Sequence, residues 1–160
     1  MVTQLAVGQQ RKRFESAGYP TFPVKFEGAV AHCFVLPSSL KPELPNFAFQ
    51  MVDDNFDFDT QHDRINEHVL IGVADSIPEE FRNLVTCHEL YEYIFKMTCP
   101  EVSKREIDLS STLGGRQREY LTMRRDFFGI LEAFARGKPG YEQKLPEFRE
   151  SYELFQQALS

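Results

Sequence analysis

The chain has 160 residues, a formal net charge of −6 and 42% apolar residues, with fifteen Phe and no Trp. That size and balance predict one folded domain over 1–160 and exclude a disordered chain or a small scaffold dependent on disulfide staples. The acidic surplus argues against a nucleic-acid partner, which needs clustered Lys and Arg, and the longest apolar run, VLIGVA, is far too short to span a bilayer.

In chain order, TQLAVGQQRKRFESAGYP reads as a helix stopped by Gly18 and blocked from continuing by Pro20. No basic segment leads into an apolar stretch there, so no signal peptide is expected. The cysteines Cys33, Cys87 and Cys99 have no CxxC spacing, which fits a reducing, cytoplasmic setting. β-like runs follow at 21–28 and 29–37, then a Pro-punctuated loop and an alternating strand at 46–52.

The run DDNFDFDTQHD puts Asp53, Asn55, Asp57 and Asp59 at the first ligand spacings of a calcium loop. It has Phe58 where the turn needs Gly and Arg64 where the twelfth position needs Glu, so a polar hairpin edge is expected instead. His62 and His68 flank it and read as surface or strand-end residues. HVLIGVA at 68–74 is expected to be a strand buried on both faces.

A helix is predicted over 77–97. Ser76 and Glu79 have capping-box spacing and Pro78 suits the first turn. Phe81, Leu84, Val85 and Phe95 recur at helical spacing, and the same face carries two polar residues, His88 and Glu92. A short helical segment near 101–109, the loop SSTLGG, a long helix at 116–137, the turn GKPG and a last helix at 145–159 complete an α+β chain with its strands in the first half. The aromatics Phe127, Phe128, Phe134, Phe148, Tyr152 and Phe155 are expected to form core between the last two helices.

Residues four apart stack on one helix face, so His88 and Glu92 can grip one cation, with Glu89 about 100° round the helix beside it. Imidazole and carboxylate are both zinc ligands, and a catalytic zinc needs three protein ligands and one open position. Cys87 adjoins His88, but neighbouring helix positions diverge and argue against a Cys/His dyad. The pair is also open to plainer readings: a mutual hydrogen bond, or a chance match.

HVLIGVADSIPEEFRNLVTCHELYEYIF resembles the strand, loop and active-site helix of the zincin metallopeptidases, in particular the ImmA/IrrE-type family. The resemblance covers about residues 66–97 and implies a zincin-like fold: an N-terminal helix and small mixed sheet, then the site helix and C-terminal helices. It implies His88 as a metal ligand and Glu89 as the general base of peptide-bond hydrolysis. The second His of the family motif is Glu92 here, giving HExxE in place of HExxH. A third, acidic ligand comes from a later helix in the family, which suggests Glu119 in RQREYL, with Glu106 and Asp126 behind it. An oxygen-rich set would admit Mn²⁺ as well as Zn²⁺. The partner implied is a protein or peptide substrate. The alternative is a regulatory or interaction protein that kept the fold and lost the metal.

Overall fold

The computed structural model describes residues 4–160, with side chains from residue 6 onward. Helix α1 (Gln4–Ser16) leads into β1 (Thr21–Phe26) and β2 (Ala29–Leu36). These strands pair antiparallel through a two-residue turn in which Glu27 (φ 49°) and Gly28 (φ 85°) both adopt left-handed backbone, the twist that suits a tight hairpin. β3 (Ala48–Val52), two single helical turns α2 (Phe58–Gln61) and α3 (Ile65–His68), and β4 (Val69–Ala74) follow.

The sheet order is β1-β2-β4-β3, with β4 parallel to β2 and antiparallel to β3. Every residue of β4 is buried, as its unbroken apolar run requires of a central strand covered on both faces. Gly72 lies opposite Phe49 in the β3 register, and a Cβ there would come within 2.7 Å of the Phe49 ring. The glycine is what lets the aromatic ring lie over β4.

Helix α1 covers one face, where the Phe14 ring meets Phe34 at 5.3 Å. The site helix α4 (Glu79–Ile94) covers the other, with Tyr91 against Phe26 at 4.8 Å. Helices α5 (Cys99–Leu109), α6 (Gln117–Ala135) and α7 (Leu145–Leu159) pack beyond α4, with Phe128 stacked on Phe155 at 5.7 Å. The order of helix, four-stranded mixed sheet and long helices is the α+β arrangement that the sequence predicts. Among the described residues no helix is long and apolar enough to cross a membrane.

Three local expectations need correction. Ser76 does not cap α4: its hydroxyl donates to Asn46 Oδ1 at 2.8 Å, and Pro78 occupies the cap position without a side-chain bond. The 53–63 segment is not a hairpin edge but a loop with a helical turn capped by Asp57. His68 adjoins the first residue of strand β4, as the strand-end reading has it, but it is buried rather than on the surface, and its Nδ1 lies 3.3 Å from the buried Asp53 carboxylate.

Candidate metal centre

Two helix ends build the centre. On α4, His88 and Glu92 sit one turn apart. That helix stops at Ile94, and Lys96 (φ 56°) turns the chain back in left-handed conformation. The next helix starts at once: Thr98 is its cap and Glu101 completes a capping box, with Pro100 in the first turn. Cys99 is therefore fixed as the first residue of α5, beside the α4 face that carries His88. Its N–H donates to Glu147 Oε1 of α7 at 3.0 Å. The positive end of a helix also suits an anionic ligand.

His88 Nε2 lies 3.2 Å from Glu92 Oε2 and 3.6 Å from Cys99 Sγ. One ligand atom from each of the three residues lies within 4.8 Å of the other two, close enough to hold one metal ion. A tetrahedral zinc with bonds of ~2.0–2.1 Å to N and O and ~2.3 Å to S needs N···O and N···S edges of ~3.4 and ~3.6 Å. The two edges at His88 Nε2 are close to these values, and the Glu92 and Cys99 donor atoms lie within 4.8 Å of each other.

The other ring nitrogen is anchored from behind. His88 Nδ1 lies 2.7 Å from Glu106 Oε1, and the second Glu106 oxygen accepts from Tyr120 Oη at 2.5 Å and Arg124 Nε at 2.6 Å. A carboxylate on Nδ1 fixes that nitrogen as the donor and turns Nε2 toward the ligand position, as outer carboxylates do for metal-bound histidines. Arg124 is fully buried, and its guanidinium also lies over Phe127 and Phe128 at 5.1 and 5.0 Å.

The electrostatics follow from this packing. Burial opposes a charge on His88, but its hydrogen bonds to Cys99, Glu106 and Glu92 outweigh burial and hold its pKa well above the ordinary value. Both ring nitrogens thus face acceptors, Nδ1 the Glu106 carboxylate and Nε2 the Glu92 carboxylate and the Cys99 sulfur. Burial pushes Glu106 up, yet Arg124 and His88 prevail and hold it at about 2. At Glu89, burial and then the charge of Glu92 raise the pKa to about 8; the charges of His88 and Arg124 pull it down but do not prevail.

His88, Glu89, Glu92 and Cys99 all line one cavity of about 340 Å³, otherwise walled mostly by apolar groups including Phe49, Phe127 and Phe148. The predicted residues His88, Glu89 and Glu92 therefore come together there. Glu119 does not join them: it is exposed on the first turn of α6 and takes both hydrogen bonds from Arg116, at 3.0 and 2.9 Å. Asp126 is likewise exposed, paired with Arg125. Glu106 does reach His88, but at the nitrogen facing away from Glu92 and Cys99.

Cys99, the third possible donor, lies outside the residues that the sequence suggests, because the family resemblance implies an acidic third ligand. The signal was present in TCPE, whose capping-box spacing and proline mark a helix start at this cysteine. No family model, curated protein or solved structure matches the chain.

Proposed function

We propose that the protein is a zincin-like, metal-dependent hydrolase acting on a peptide bond in a protein or peptide. His88, Glu92 and Cys99 hold the ion and Glu89 is the general base. The observation that carries this reading is a set of three ligand side chains opening, together with a free carboxyl, into one cavity. Structural zinc sites use four protein ligands; three with an open position is the catalytic pattern. The cysteine shifts the choice of metal toward Zn²⁺ and away from Mn²⁺, which prefers oxygen donors.

The ion would supply Lewis-acid polarisation of a substrate carbonyl. Glu89, its carboxylate favoured once the ion offsets the charge of Glu92, would take the proton from the attacking water and pass it to the departing amine. Glu106 keeps His88 in one tautomer, and the apolar walls strengthen the electrostatic interactions within the cavity. Cys99, His88 and Glu106 also align like a nucleophile triad, but a thiol peptidase needs N–H donors for the oxyanion. The Cys99 N–H is given to Glu147 and Pro100 has none, so the backbone beside the sulfur supplies no oxyanion donor.

A second reading, a regulatory or interaction protein without metal, is favoured by one feature. His88 bridges Glu92 and Glu106, so the cluster is satisfied with no cation. Cleavage of a fluorescently labelled unfolded protein by the Zn²⁺-loaded chain separates the two. Glu89→Gln should retain bound zinc and lose about 10²–10⁴-fold in rate. A zinc-loaded wild type no faster than Glu89→Gln would refute the hydrolase.

A further inference from the structure

The sulfur of Cys99 is served by a short chain of buried hydroxyls. Ser151 Oγ donates to Cys99 Sγ at 3.3 Å, and Ser103 Oγ donates to Ser151 Oγ at 2.8 Å. Both serines have no exposed surface. Ser103 lies four residues after Cys99 on α5 and so stacks over it, whereas Ser151 comes from α7. One turn before Ser151, Glu147 accepts the Cys99 backbone N–H at 3.0 Å. Helix α7 thus grips Cys99 at two atoms, the amide and the sulfur.

We infer that Ser151, backed by Ser103, is a positioning residue that holds the Cys99 sulfur in place as a ligand of the metal. Both bonds run in one direction, with each hydroxyl giving its proton toward the sulfur. A sulfur that accepts from Ser151 is oriented by that bond for a metal on the side of His88 Nε2, 3.6 Å away. A donated hydrogen bond stabilises negative charge on sulfur and lowers the energy of its lone pairs. Outer partners of this kind are worth about 10–100-fold in metal affinity. The same contacts tie metal binding to the docking of α7, because the last helix supplies the group that steadies a ligand on α5. The inference rests on the metal reading.

Cobalt(II) tests it, because a cobalt–thiolate bond gives a sulfur-to-metal charge-transfer absorption. Wild-type protein titrated with Co²⁺ should develop this band, and Cys99→Ser should lose it. Ser151→Ala should keep the band, move it to lower energy, and weaken Co²⁺ binding about 10-fold or more. Ser103→Ala should shift the band the same way by less, which covers the case in which Ser151→Ala fails to fold. An unchanged band and affinity in a folded serine variant would overturn the positioning role while leaving the metal site standing. Co²⁺ bound without a charge-transfer band would remove Cys99 from the ligand set and the inference with it. No Co²⁺ binding at all would sink the metal reading itself.

Discussion

Glu106 holds the site together from behind. Its two oxygens take bonds from His88, Tyr120 and Arg124, all buried. Replacing it with Gln strands the Arg124 charge in the interior, a change that typically costs about 3–5 kcal/mol. Urea denaturation of Glu106→Gln should show a loss of that size. Glu119→Ala makes the opposite case. The side chain is exposed and paired only with surface arginine, so stability should stay within about 0.5 kcal/mol and zinc affinity should not change. The sequence resemblance placed Glu119 ahead of Glu106 as the acidic ligand, whereas the structure puts Glu106 on His88 and Glu119 on Arg116. Pattern alone does not tell that one carboxylate meets a buried arginine and the other a solvated one.

The elements were legible where their signals are local. The unbroken apolar run gave β4, the Gly-Pro stop ended α1, and the helical repeat of Phe81, Leu84 and Val85 gave α4. The exceptions are places where a tertiary partner competed. Ser76 had the spacing of a cap, but Asn46 claims its hydroxyl. Asp53 read as a polar edge residue, but the buried His68 draws it inward. At Thr98 the local signal prevailed: the capping box formed, and it sets where α5 begins and where Cys99 points. Thr98→Ala should cost about 0.5–2 kcal/mol of stability. It should also weaken zinc binding, because a frayed first turn releases Cys99 from its place beside His88. Equal zinc affinity in the two proteins, measured by competition with a chromophoric chelator, would show that the cap does not position the ligand.

At the scale of the whole molecule, the centre joins the α4 layer on the sheet to the α5–α7 layer beyond it. His88 and Glu92 belong to α4, Cys99 and Glu106 to α5, Arg124 to α6, and Glu147 and Ser151 to α7. An ion bound there clamps the layers and stabilises the native state by mass action. At a hundredfold excess over Kd that is about 2.7 kcal/mol, or a rise of roughly 5–10 °C in Tm for a chain of this length. The sequence showed the α4 half of this arrangement and missed the α5 half, because Cys99 is brought to His88 by a helix break that no repeat spacing encodes. The central claim is that His88, Glu92 and Cys99 bind one metal ion, and the zinc content of chains equilibrated with Zn²⁺ and dialysed tests it most directly. About one Zn²⁺ per wild-type chain, with stoichiometric binding lost in His88→Ala and Cys99→Ser, is the predicted result. A zinc-free wild type, or a zinc content unchanged by those substitutions, would contradict it.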